Sequence, residues 1–210
     1  MFWTSETIQQ ADKVLRLNVI NSVTGIKPAN LIGTISPTGT TNLAVFSSVV
    51  HLGSNPPLIG FFLRPDVEVP RHTFENIQAT GHYTINHLPT GLTKEGHQTS
   101  AKYPREISEF DACGFTPEFI DQFHAPSVKE AKVKFGLTFE QAVPIPLNGT
   151  TLVIGRIQWL IAPDNAMTEE GYIDLEQTGS AGISGLNTYY SFNKLADYPY
   201  ARFSTPHQPE

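Results

Sequence analysis

Two long extended patterns, KFGLTFEQAV and TLVIGRIQWLI, stand on either side of an Asn148-Gly149 pair, and they limit the fold more than any other feature of the chain. Asn-Gly suits the positive backbone angles of a type I′ turn, so the two runs are expected to fold back on each other as an antiparallel hairpin. The second run, Thr151 to Ile161, is long enough to span a barrel and can bend at Gly155. Asn148-Gly149-Thr150 also matches a glycosylation acceptor, but with no secretory route the turn is the better reading.

Extended patterning recurs along the chain. Lys13 to Ile20 (KVLRLNVI) alternates polar and apolar residues, the period of a half-buried strand. Asn30 to Ser36 is a second strand, followed by a Pro37-Thr38-Gly39-Thr40 turn in which Pro presets one angle and Gly supplies a positive one. Asn42 to Leu52 and Pro57 to Leu63 add two more, and His82 to Leu88 another. A helix is expected from Thr73 to Thr80, with Phe74 and Ile77 on one face and Gly81 closing it. Between Pro89 and about Pro126 lies a polar insert of loops and short helices such as Ile107 to Cys113, stopped by Gly114; the glycine-rich Gly179 to Gly185 reads as a loop. At least seven strands without strand-helix alternation point to a mostly β fold with short helices. A closed or nearly closed antiparallel barrel fits this better than a doubly wound sheet, in a single domain over residues 1–210 with a C-terminal tail from about 190.

Several function classes are excluded at this level. The formal net charge is -6 and no basic run exists, which argues against a nonspecific nucleic-acid binder. The single Cys113 rules out an internal disulfide framework and a cysteine zinc site, and the histidines lack ligand spacing. Cys113 itself is expected to be structural, and Trp159 to lie in a core or a dimer interface. Neither a secretory leader nor 18 consecutive apolar residues occurs, so a cytoplasmic protein that does not enter a membrane is expected.

The stretch NLAVFSSVVHLGSNPPLIGFFLRP, from Asn42 to Pro65, is unusual for a pair of core strands, because it carries Asn42, Ser47 and Ser48 and ends on Arg64. Arg71, His72 and Thr73 then open the expected helix, where a cation opposes the helix dipole. Two readings remain open. The arginines reach solvent while Thr73 caps its helix, or they converge with free backbone amides and hydroxyls on an anion such as a phosphate. No GxGxxG or GxxxxGK[ST] sequence is present, so a Rossmann or P-loop nucleotide site has no support.

Taken in order, Asn42-Leu43-Ala44-Val45-Phe46-Ser47-Ser48, Asn55-Pro56-Pro57-Leu58, Arg71 to Ile77, Gly81 to Asn86, Ser108-Glu109-Phe110, Cys113 to Pro117 and Leu152 to Gly155 resemble the flavin reductase-like family of FMN-binding split barrels, in particular its flavoredoxin-like branch. The resemblance runs from about residue 27 to 190 and implies a Greek-key-like antiparallel split barrel. It implies that Asn42 to Ser48 wraps FMN, with Ala44 and Val45 at the isoalloxazine edge and Ser47 and Ser48 toward the ribityl chain and phosphate. Thr34, Ile35 and Ser36 would line the same pocket, and Arg64, His72 and Thr73 would take the phosphate. It further implies a homodimer, NADH or NADPH as reductant, and a partner monooxygenase or other electron acceptor. Two positions depart from the family pattern. Asn148-Gly149-Thr150-Thr151 stands where shorter reductases carry Gly-Asp-His, and Val45 replaces a proline. An FMN-binding electron carrier without its own nicotinamide activity is therefore the alternative, and a barrel that has exchanged flavin for another anionic ligand is a third reading.

Overall fold

The computed structural model describes residues 1–65 and 70–203. The chain opens with helices α1 (Ser5–Gln10) and α2 (Lys13–Ser22), followed by strands β1 (Lys27–Pro28), β2 (Asn30–Ile35), β3 (Thr41–Phe46), β4 (Val50–Ser54) and β5 (Pro57–Leu63). Helix α3 (His72–Thr80) leads into β6 (His82–His87), and the insert holds a 3₁₀ turn, α4 (Thr93–Gln98), α5 (Glu109–Cys113), β7 (Pro117–Glu118) and β8 (Ser127–Val128). The long strands β9 (Lys134–Ile145) and β10 (Thr150–Ile161) come next, then α6 (Leu175–Thr178), β11 (Gly182–Ser184) and β12 (Thr188–Tyr190).

Seven strands form one antiparallel sheet in the order β3-β2-β6-β9-β10-β5-β4. Its hydrogen-bonded ladder does not close, so β3 and β4 are its two edges. The chain turns from β3 into β4 through residues 47–49, and side chains tie that corner to β5. Phe46 on β3 meets Phe61 on β5 edge to face at 5.1 Å, and the Ser48 hydroxyl donates to the Phe62 carbonyl at 3.0 Å while accepting from the Phe62 amide at 3.1 Å. A strand bends where its ladder slips, and β10 shifts register between Ile154 and Gly155. Gly155 is required there because any Cβ would run into the Tyr83 hydroxyl.

Period-two alternation sorts the sheet into two apolar layers. Ile32, Phe61, Tyr83, Ile85, Leu137 and Val153 fill the concave side, with Ile77 of α3 plugging one end. Leu31, Leu43 and Leu88 face the other side, where Phe110, Cys113 and Phe115 of the insert and Ala181 and Ile183 near the C-terminus cover them. Among the described residues no helix is long and apolar enough to cross a membrane.

Four expectations are corrected. Lys13 to Ile20 is helical, not extended: the Asp12 carboxylate caps α2 by accepting from Val14 N and Leu15 N at 2.9 and 3.2 Å. With no strand beside it, a helix is the conformation in which this segment satisfies its own backbone. Asn42 to Leu52 is two strands, because the chain leaves the ladder after Phe46 and re-enters at Val50. The β9–β10 hairpin forms, but its connection runs from Pro146 to Gly149 and only Gly149 has positive φ, at 72°, so it is not a type I′ turn. Both Asn148 N and Gly149 N donate to Ile145 O instead. The segment Gly179 to Gly185 is not simply a loop: Gly179 closes α6, and Gly182 to Ser184 pair with β1 and β12, an approach to Ile26 and Phe192 that a Cβ on Gly182 would block.

Candidate functional site

Helix α3 begins without the cap its sequence offers. Arg71 occupies the N-cap position, and no side chain accepts from the first turn. Phe74 N and Glu75 N both donate to Arg71 O, at 2.8 and 3.0 Å, and among the described residues no acceptor meets the His72 or Thr73 amide. The Arg71 guanidinium turns back to Pro65 O at 2.8 Å, leaving its buried Nε without a partner. Arg64, at the end of β5, is exposed. The open amides, the Arg71 Nε and the nearby Arg64 make a donor-rich corner, which suits a negatively charged group.

The Thr73 hydroxyl serves another purpose. It donates to Asn42 Oδ1 at 2.9 Å, and Thr34 Oγ1 donates to the same oxygen at 3.2 Å. Asn76 Nδ2 donates in turn to Thr34 Oγ1 at 3.1 Å, while Asn76 Oδ1 is buried with no donor. Asn42 Nδ2 donates to Glu109 Oε2 at 2.6 Å, and that oxygen also accepts Leu43 N at 3.0 Å. Thr34, Asn42 and Thr73 therefore lie together, with their side chains bonded to one another. A small cleft opens beside them, lined by Ser36, Asn42, His72, Asn76, Arg105 and Ile107. Arg105 is held there by an ion pair with Glu75.

The remaining predicted residues fall into two groups. The Ser36 hydroxyl staples its own turn, meeting Thr38 Oγ1 at 2.9 Å and accepting Thr40 N at 3.0 Å. Ile35, Ala44, Val45 and Ser47 are partly exposed along β2, β3 and the corner that follows. Ser48 has its hydroxyl committed to β5 through Phe62. The hairpin tip at Gly149 packs near Pro65, so the Asn148 to Thr151 segment borders the Arg64 corner without bringing a histidine to it.

Glu109, Asn76 and Arg105 were not singled out as site residues. Glu109 lies in the quoted Ser108-Glu109-Phe110 triplet, but its partners are more than sixty residues away in sequence, as the separation of 66 to Leu43 shows. Asn76 could have been found as the polar member of the buried α3 face, one turn beyond Thr73. Cys113 is buried beside Tyr103, whose hydroxyl lies 3.6 Å from Sγ, and burial pushes its thiol pKa up, which suits a structural thiol.

An open antiparallel sheet, bridged at one corner by side chains and flanked there by a donor-rich helix start, is the architecture of a split barrel. The chain matches a candidate flavin reductase with a split barrel domain from Shewanella frigidimarina NCIMB 400 at 47% identity and a TM-score of 0.92, covering 96% of this chain and 100% of the other. It belongs to the flavin reductase like domain family, whose model matches residues 26–178. Two more distant structures share the fold. Nitrilotriacetate monooxygenase component B from Bacillus cereus is 19% identical with a TM-score of 0.83, over 94% of this chain and 98% of that one. Flavoredoxin of Desulfovibrio vulgaris (Miyazaki F) is 19% identical with a TM-score of 0.72, over 84% and 92% respectively.

Proposed function

We propose that this protein binds FMN along β3 and the start of α3 and is an oxidoreductase whose flavin is reduced by NADH or NADPH. The observation that carries the reading is the set of donors at that helix start that have no partner among the described residues: the His72 and Thr73 amides and Arg71 Nε, with exposed Arg64 next in sequence to Pro65, whose carbonyl Arg71 contacts. These groups fit a phosphate, and family membership makes a flavin phosphate the natural candidate. Ser36 and His72 would flank the ribityl chain from the cleft, and the partly exposed Ala44, Val45 and Ser47 would present backbone to the ring. Val45, unlike a proline, keeps an amide that can donate to the ring's edge. The flavin, when bound, supplies the hydride chemistry; the chain binds it, orients it and shields it from water.

The same reading includes a homodimer. Leu52, Phe62, Leu160 and Ile161 leave apolar surface exposed on β4, β5 and β10, and β3 and β4 are open edges, surfaces that a second copy would cover. An electron-carrier reading is favoured by one observation: the exposed hairpin tip bordering the Arg64 corner has Asn148 to Thr151 where a nicotinamide-site histidine would stand.

One titration separates the two. FMN-saturated protein is mixed anaerobically with NADH, then NADPH, while the oxidised flavin band is followed. Bleaching well above the free-flavin rate is expected for the reductase; tight binding with no bleaching by either donor would establish the carrier. Arg64→Ala should weaken FMN binding by about tenfold, and an unchanged affinity would remove Arg64 from the phosphate site.

A further inference from the structure

Glu109 is a carboxylate that the fold has put in an unfavourable place. It is 5% exposed and forms no salt bridge among the described residues. Burying a charge without a cation is costly unless hydrogen bonds replace the lost water, and here a single oxygen, Oε2, receives both Asn42 Nδ2 and Leu43 N. The Leu43 amide is special because β3 is an edge strand; its bond to Glu109 puts a carboxylate where a neighbouring strand would otherwise pair. The Asn42 amide is special because its other end, Oδ1, is the acceptor for Thr34 and Thr73. An adjoining contact, Thr41 Oγ1 to Ser108 Oγ at 2.6 Å, fastens the same two segments.

One side chain from the insert thus fixes the path of β3 and, through the amide plane of Asn42, the seat of α3's first turn. Those are the two elements proposed above to carry the flavin ring and its phosphate. We propose that Glu109 is a positioning residue for the flavin site: it makes no contact with the cofactor, but it sets the distance between the backbone of β3 and the donors at the start of α3. The inference rests on the flavin reading of the preceding section. It also gives the insert a task, since α5 is the element that delivers the carboxylate to the sheet edge.

The test compares Glu109→Gln and Glu109→Leu with the unchanged protein and with Glu118→Gln. That last variant disturbs another carboxylate, the partner of buried Lys134, away from the proposed site. FMN affinity is measured by quenching of flavin fluorescence, together with the visible circular dichroism and midpoint potential of the bound flavin. Leucine removes both acceptors at nearly constant bulk and should weaken FMN binding by about tenfold or more. Glutamine keeps one oxygen able to take Leu43 N and should recover part of that loss. Both should alter the dichroism or potential of whatever flavin remains bound, whereas Glu118→Gln should lower thermal stability without touching either property.

Equal FMN affinity and unchanged spectra in Glu109→Gln and Glu109→Leu would overturn the assignment, as would an equal loss in Glu118→Gln. If Glu109→Leu does not fold, Glu109→Gln decides by the same affinity and spectra. Failure of the unchanged protein to bind FMN is a distinct result, which would overturn the flavin reading and the role of Glu109 with it.

Discussion

Leu31 and Ile32 are neighbours on β2 and both are fully buried, but they enter cores of different construction. Ile32 faces the concave side, where Phe61 meets Tyr83 at 5.7 Å and Phe46 at 5.1 Å, and where the Tyr83 hydroxyl is buried with no partner. Leu31 faces the layer closed by the insert and the C-terminal segment, which is pinned by polar groups. Asn86 donates to Leu31 O at 3.0 Å and accepts Val128 N at 2.9 Å, and Thr84 donates to Pro126 O at 2.7 Å. The concave core around Phe61 is held by shape and apolar area, with its directed bonds gathered at the α3 end among Thr34, Asn42, Thr73 and Asn76. The outer layer is held by directed bonds that tell each loop where to sit. Contiguous strands thus support a generic interior and a specified exterior.

The contrast can be broken most forcefully at Phe61. Phe61→Ala should cost about 3–5 kcal/mol in chemical denaturation, since it opens a cavity among rigid aromatic neighbours. A loss below about 1 kcal/mol would mean that the concave side collapses readily and is not close-packed. On the outer side, His87 is half-buried with its Nδ1 3.0 Å from Ser180 Oγ, and desolvation depresses its pKa to about 4. The unfolded chain, with an ordinary histidine near 6.5, then takes up the proton first as pH falls. Stability from this group is complete above about pH 6.5 and lost toward pH 4, by about 3 kcal/mol. A pH series of melts should show that decline, and His87→Gln should flatten it; parallel curves for the two proteins would refute the role of His87.

Asn86→Ala should cost about 2 kcal/mol, because it strands the Val128 amide and removes a donor from Leu31 O. It should also speed hydrogen exchange at Val128 while leaving the concave strands protected, a local signature that a cavity mutation would not give. The smallest effect is expected at Tyr83. Burial raises its phenol pKa and its hydroxyl has no partner, so Tyr83→Phe should change stability by less than about 1 kcal/mol. It should also relieve Gly155→Ala, whose added methyl meets that hydroxyl, giving a non-additive double-mutant cycle. Additivity would show that the Tyr83 ring carbons, which the added methyl also meets, close the site without the hydroxyl.

Much of this was legible in the sequence because it depends on neighbours along the chain. The extended runs of β2, β5, β6 and β10, the Gly81 and Gly114 helix stops and the Pro37 to Thr40 turn are all local in origin. Lys13 to Ile20 reads as a strand because alternation over eight residues carries no information about whether a partner strand exists, and Asp12, the cap that decides it, lies just outside the pattern. The ordered pieces from Asn42 to Gly155 identified the family. They could not show that Thr34, Asn42 and Thr73 spend their hydrogen bonds on each other, nor that a glutamate from the insert accepts from Asn42 and Leu43. Such facts depend on contacts between segments 31 and 67 residues apart.

The corner at Ser48 has a mechanical meaning. A strand ladder resists opening along its whole length, like a seam, and each added pair strengthens the next. Here β3 passes through residues 47–49 into β4, and that corner is fastened to β5 by one hydroxyl and one pair of aromatic rings. The molecule is built like a book, with β6, β9 and β10 as its spine and Ser48 as its clasp. Releasing the clasp forfeits two hydrogen bonds, worth about 1 kcal/mol each, and leaves every ladder in the spine intact.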